Sequence, residues 1–275
     1  MIHARTRSRR VGLVAAIAAT ALIALTACSS SSSGDATDTG TGAPESSGPA
    51  LTGQITVLAA ASLTDTFDEL KTRFEAENPQ ATVTLSYGGS SALAQQITSG
   101  APVDLFFSAS AATMKTVTDA GLAAGEPDTF AHNALEIAVP ASNPAEVEKL
   151  ADLSSSDVKV ALCAEEVPCG ALAKTVLAAE GVTVTPVSLE PDVKSALTKV
   201  ELGEVDAALV YKTDVTAAGS KVKGIAVGDA STPTTAYLAA QLKDAPNAEV
   251  AAAFLAFVLS DTGKTTLKNA GFDVD

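Results

Sequence analysis

The sequence predicts an α/β protein of two lobes with a cleft between them. Three observations carry this. From Leu51 onward, strand-like and helix-like patterns alternate. Four segments place hydroxyls, small residues or free backbone N–H groups at the start of a helix. They are Ala60-Ala61-Ser62-Leu63-Thr64, Gly88-Gly89-Ser90-Ser91, Val167-Pro168-Cys169-Gly170 and Pro191-Asp192-Val193. These segments fall in two sets, and a cleft between two lobes brings both sets of helix ends together, beyond the carboxyl ends of strands.

Gln54 to Leu58 reads as a strand. Leu63, Phe67, Leu70 and Phe74 then recur on one helical face, and Asn78-Pro79 ends that helix. Ala81 to Tyr87 alternates as a strand, and Leu93 and Ile97 mark a short helix stopping at Gly100. Val103 to Phe107 is a buried-type strand, and Met114, Val117 and Leu122 indicate another helix. This β-α-β-α-β order implies parallel strands covered by helices on both faces.

A second set follows. Leu135 to Val139 and Val158 to Leu162 read as strands, the latter leading into a helix over Ala171 to Ala179. Val182 to Val187 is expected to be a strand, followed by a helix from Asp192 to Leu202. Val205 to Tyr211 and Lys221 to Val227 complete the set. Ala236 to Leu242 and two helices over Ala248 to Ala270 look like a return. The chain is expected to cross between lobes near His132-Asn133 and again near Thr234-Thr235. That gives one lobe of residues 51–133 with 235–275, and a second of 134–234.

The first residues indicate export. Arg5, Arg7, Arg9 and Arg10 form a basic start, and Val11 to Leu25 is an apolar run of signal length, short for a membrane span. Leu25-Thr26-Ala27-Cys28 resembles a bacterial lipobox. Residues 1–27 are then a lipoprotein signal peptide, and Cys28 carries the lipid that holds the mature chain on the cell membrane, outside the cytoplasm. Stable anchoring takes more than one acyl chain, each buried CH₂ contributing about 0.8 kcal/mol. Residues 28–50 are rich in Ser, Gly and Thr and are expected to be a flexible tether.

The formal net charge is −14, and four of the 18 basic residues lie in the signal, leaving 14 against 32 acidic ones. So acidic a chain is a poor nucleic-acid binder and repels anions at long range. An anion site here must work through short-range donors. Helix N-termini supply them as unpaired N–H groups with partial positive charge. Arg73 is the one arginine after the signal and lies deep in the first helix, which counts against carboxylate pairing in a cleft. One histidine, His132, remains after the signal, and there is no Gly-x-Ser-x-Gly elbow, so a serine or cysteine hydrolase is disfavoured. Cys163 and Cys169 have five residues between them, a spacing that suits a disulfide in an exported protein. Free thiols, a metal pair and a nucleophilic cysteine are the alternatives.

Val57-Leu58-Ala59-Ala60-Ala61-Ser62-Leu63-Thr64 resembles the first signature of periplasmic molybdate-binding proteins of ABC importers. Tyr87 to Ile97 resembles the second, and Gly100 to Ala109 the segment after it. Val167-Pro168-Cys169-Gly170, Asp192-Val193, and Val210-Tyr211 with Asp214 continue in family order, so that the likeness runs from Gly53 to Phe272. The resemblance implies a type II periplasmic-binding-protein fold, with two α/β lobes, a hinge and a ligand cleft. It implies a monomer that captures molybdate, and tungstate with it, and passes it to a membrane permease and its ATPase. No cofactor and no direct metal ligand are implied, the metal entering only as its oxyanion. Carried over by position, the ligand set is Ser62, Ser90, Cys169, Val193 and Tyr211, with hydroxyls from Ser62, Ser90 and Tyr211 and N–H groups from Ser62, Ser90, Cys169 and Val193. The family usually has a small residue such as alanine at the Cys169 position. Molybdate at neutral pH only accepts hydrogen bonds, and every group in this set can donate. The same fold with sulfate or phosphate as ligand is the runner-up.

Overall fold

A computed structural model describes residues 50–229 and 231–274. The expected signal segment, the lipidation site Cys28 and nearly all of the tether lie outside the described residues. β1 (Gly53–Ala60) runs through a 3-10 turn over Ala61–Leu63 into α1 (Thr64–Glu77). Phe67, Leu70 and Phe74 bury one face of α1, and the Asn78 backbone and side-chain N–H groups both donate to the Phe74 carbonyl, closing the helix. β2 (Ala81–Gly88), α2 (Ser90–Thr98), β3 (Leu105–Ser108) and α3 (Ala111–Asp119) follow, then β4 (Asp128–Asn133) and β5 (Leu135–Pro140). β6 (Val160–Cys163) leads to α4 (Pro168–Ala179), and β7 (Ser188–Glu190) to α5 (Val193–Glu201). β8 (Ala207–Tyr211), α6 (Lys212–Ala218), β9 (Val222–Ala226), β10 (Thr235–Gln241), α7 (Ala248–Leu259) and α8 (Asp261–Asn269) complete the chain.

Two five-stranded sheets result, ordered β2-β1-β3-β10-β4 and β7-β6-β8-β5-β9. The first three strands are parallel, as their β-α-β-α-β order predicts, but both sheets are mixed. β10 is antiparallel to β3 and β4, and β5 is antiparallel to β8 and β9. The reason is the path of the chain. β5 starts just after the chain leaves the first sheet at Asn133, and β10 starts where it returns. A strand that begins at the crossing runs away from it, whereas β1, β2, β3, β6, β7 and β8 run toward it and end in helix starts. β4, missed in the sequence, pairs with β10, makes one bridge to Asp273 through His132, and ends at the crossing.

Two further differences have local causes. Residues 182–187 form no strand. The Val182 N–H bonds back to the Leu177 carbonyl at the end of α4, and Val187 makes a single bond to the Val160 carbonyl before the short strand β7 begins. The valine alternation there reflects packing, since Val182 and Val184 rest partly buried on the core. α6 was not anticipated either, because β8 runs directly into it with no turn residue between.

The first sheet packs Phe67, Phe74, Phe107 and Phe254 into a core whose rings meet edge-on, with centroids 4.8 Å apart for Phe67 and Phe107. Asp104 is buried within it at 2 % exposure. One carboxylate oxygen accepts the Thr56 N–H of β1 and the other the Asn247 N–H just before α7, each at 2.7 Å. In the second sheet a disulfide joins Cys163, at the end of β6, to Cys169, in the first turn of α4, with Cα atoms 5.8 Å apart. The loop between them is pinned to a strand end and a helix start.

Two outcomes follow for stability. Asp104→Ala leaves two N–H donors without acceptors and should cost about 3 kcal/mol in urea unfolding. Reduction of the disulfide releases a short loop and should cost about 2 kcal/mol in the same assay under thiol.

Candidate functional site

The helix starts of both sheets converge on one cavity. The first sheet supplies the β1–α1 turn with Ala60, Ala61 and Ser62, the β2–α2 turn with Gly88, Gly89 and Ser90, and Ala109. The second supplies Val167, Pro168 and Cys169 at the start of α4, Asp192 and Val193 at the start of α5, and Tyr211 at the end of β8. All five residues singled out as a ligand set in the sequence, Ser62, Ser90, Cys169, Val193 and Tyr211, therefore line the same space. The space is tight, about 10 Å³, far below the roughly 300 Å³ at which drug-sized ligand pockets begin.

The chemistry of the lining is neutral and donor-rich. No Lys or Arg lines the cavity. The Asp192 carboxylate caps α5, accepting the Ser195 N–H at 2.9 Å and the Ser195 hydroxyl at 3.1 Å. The α2, α4 and α5 starts expose first-turn N–H groups that no intrahelical carbonyl can pair, among them those of Ser90, Cys169 and Val193. The Cys169 sulfur is committed to the disulfide, so its N–H is what that residue offers. Ser90 is 1 % exposed, and its Oγ accepts the Ala109 N–H at 3.1 Å. Tyr211 is 1 % exposed, and its hydroxyl has no hydrogen-bond partner among the described residues. Burial holds the Tyr211 hydroxyl well above its ordinary pKa, reinforced by the neighbouring Tyr237 and Asp214. It therefore stays protonated and can donate.

The two sheets close on each other around this space. The Ser91 hydroxyl donates to the Glu166 carbonyl from across the cleft. Lys194 of α5 reaches Asp65 of α1 at 2.7 Å and Asp214 of α6 at 3.6 Å. A Cβ on Gly89 would lie 2.3 Å from the Pro191 carbonyl oxygen of the opposite side, so only glycine allows this approach. Asp214 is fully buried, its other carboxylate oxygen accepting the Tyr211 N–H at 3.2 Å. Burial pushes its pKa up to about 7 against the pull of Lys194. Sequence reasoning missed Lys194, although it directly follows Val193, and missed Tyr237, which contacts Ser62 from behind. Among the described residues no group of three or more His, Cys, Asp or Glu could hold a metal ion, and His132 sits on β4, outside this lining.

Comparison with known proteins fits this geometry. Residues 55–273 match the family described as bacterial extracellular solute-binding proteins. The molybdate-binding protein ModA of Mycobacterium tuberculosis is 38 % identical over 236 residues, covering 85 % of this chain and 90 % of that protein. The substrate-binding domain of a putative molybdenum ABC transporter from Clostridium difficile superposes with a TM-score of 0.62 at 28 % identity, covering 81 % of this chain and 99 % of that one. The sulfate-binding protein SubI of Mycobacterium tuberculosis superposes with a TM-score of 0.66 at 19 % identity over 81 % of this chain and 87 % of that one, a likeness of fold alone. The fold is that of the type II periplasmic binding proteins, and the chain belongs to the bacterial extracellular solute-binding proteins, among relatives named for molybdate binding.

Proposed function

We propose that this protein is the receptor of an ABC importer, capturing molybdate, and tungstate with it, outside the cytoplasm and delivering it to a permease driven by an ATPase. One observation carries the reading most. A buried Tyr211 hydroxyl without a partner converges with two serine hydroxyls and several first-turn N–H groups on a space free of cationic side chains. A buried donor without an acceptor is costly, and a fully deprotonated oxyanion supplies acceptors to all of them. Hydrogen bonds to a charged acceptor are roughly twice as strong as neutral ones. Hydrogen phosphate brings a proton that the N–H groups cannot accept and that hydroxyls already donating accept poorly, which penalises it when buried. Sulfate has the charge and shape of molybdate but shorter bonds, so the size of the cavity must reject it, and tungstate is close enough in size to be kept.

Residues 51–133 with 235–275 form one lobe on this reading, and residues 134–234 the other. The ligand drives closure because it bridges both, shifting a pre-existing equilibrium. The protein holds its ligand and releases it unchanged. The lipid on Cys28 keeps it, as a monomer, beside the permease.

A thermal-shift panel on the purified protein tests the reading. At one hundred times its Kd a ligand stabilises by about 2.7 kcal/mol, so molybdate and tungstate should raise the melting temperature, with sulfate and phosphate leaving it unchanged. A rise with sulfate or phosphate alone would overturn the ligand. Tyr211→Phe and Ser90→Ala each remove a donor to a charged acceptor, which predicts molybdate binding weaker by about tenfold or more in calorimetry. Unchanged affinity in both variants would sink the site assignment. Gly89→Ala should weaken molybdate binding while the ligand-free melting temperature stays near wild type, because the added Cβ meets Pro191 only across the cleft.

Asp214 adds a pH signature. Its pKa is about 7 in the folded protein against 3.8 as a free side chain. Between those values the folded form binds the proton more tightly, so this group makes stability fall as pH rises from about 4 to about 7, with no further effect above. Subtracting the stability curve of Asp214→Asn from that of wild type should isolate this slope. A difference that is flat across the range would contradict it.

A further inference from the structure

Tyr237 lies in β10 at 0 % exposure and does not line the cavity. Its ring packs edge-on against Phe130 and Phe272. Its hydroxyl stands 2.7 Å from Ser62 Oγ and 3.4 Å from Asn133 Nδ2. The direction of these bonds follows from their neighbours. Asn133 Oδ1 accepts the Ala134 N–H at 3.0 Å, while its Nδ2 donates to Thr213 Oγ1 at 2.8 Å. The amide is thereby oriented with its nitrogen toward Tyr237, and an amide nitrogen only donates. The Tyr237 oxygen accepts on that side, and its own proton needs an acceptor elsewhere, the candidates being Ser62 Oγ at 2.7 Å and the hydroxyl of Tyr211, whose ring packs edge-on at 6.0 Å. Ser62 Oγ is the acceptor at hand, and a phenol, with an ordinary pKa near ~10, is a far stronger acid than an aliphatic alcohol.

The alternative direction has a consequence. Ser62 has one hydroxyl proton. Donated to Tyr237, it would leave the serine presenting lone pairs to the cavity, and these repel an anion. Ser90 meets the same problem with a different solution, its Oγ receiving the Ala109 N–H so that its own proton is free. Ser62 would match it with Tyr237 as the donor of their shared bond.

We propose that Tyr237 is a positioning residue of the oxyanion site: by donating to Ser62 Oγ it turns the Ser62 proton into the cavity and makes that serine an obligate donor. The inference rests on the reading of the cavity given above. A received bond also polarises the Ser62 O–H and strengthens what it donates. Selectivity follows too, since a serine whose lone pair is engaged is a poor acceptor for the proton of hydrogen phosphate.

A double-mutant cycle tests this, with molybdate and phosphate affinities measured by calorimetry on wild type, Ser62→Ala, Tyr237→Phe and the double variant. Tyr237→Phe keeps the ring and its packing. It should weaken molybdate binding about tenfold, the loss expected for one misdirected hydrogen bond to a charged acceptor. In the Ser62→Ala background the same change should move affinity less than about twofold, because independent sites add and coupled ones do not. The preference for molybdate over phosphate should narrow in Tyr237→Phe alone. Equal losses in both backgrounds would reduce Tyr237 to a packing residue, and unchanged affinity in Tyr237→Phe would do the same. A wild-type protein that binds no molybdate would overturn the functional reading, and this inference with it.

Discussion

Hydrogen-bond donors buried without acceptors dominate the energetics of this cleft. Tyr211 is the clearest case, a hydroxyl removed from water at the end of β8 with nothing to donate to among the described residues. Such a group costs about 1–3 kcal/mol. The first-turn N–H groups of α2, α4 and α5 point into the same space, and the helix dipoles add partial positive charge there. Closure of the empty cleft therefore works against itself, because it desolvates donors from both sides. An acceptor-only ion removes that cost in one step. On the reading proposed here, this is what couples binding to closure and lets a strongly acidic protein hold an anion with no lysine or arginine in the lining.

The fold exists to deliver those donors. β1, β2, β6 and β7 run toward the cleft and end there, and a turn or helix begins where each stops. β5 and β10 carry the chain away from the two crossings, which is why they alone oppose their sheets. Two devices hold the α4 start in place. One is the Cys163–Cys169 disulfide, and the other is Gly170, where a Cβ would lie 1.9 Å from the Ala164 carbonyl oxygen. Around the rim Lys194 bridges Asp65 and Asp214 across the cleft. With Asp65 largely exposed, its bond to Lys194 adds well under about 1 kcal/mol. The donors inside, not the charges outside, set the energetics.

Much of this was legible in the sequence because it rests on local patterns. Phe67, Leu70 and Phe74 mark α1 by spacing, and the segments holding Ser62, Ser90, Cys169 and Val193 stand out as helix starts after strands, while the choice of those residues as a ligand set came through the family motifs. Tyr211 was legible through the family motif, although its full burial was not. What escaped detection depends on contacts between distant segments. Tyr237 meets Ser62 from 175 residues away, and nothing in its own strand pattern distinguishes it from a core residue. The reversal of β5 and β10 follows from the path between sheets and has no local signature. The valines of 182–187 misled because alternation records burial, and burial there comes without a ladder partner.

The central claim is that neutral donors from both sides of the cleft meet a fully deprotonated oxyanion. A crystal structure of the protein with molybdate tests it most directly. The account expects one anion among Ser62, Ser90, Cys169, Val193 and Tyr211, each donating within about 3.2 Å, with no cationic side chain and no carboxylate touching it. An anion seated elsewhere, or one held by a lysine, would contradict it.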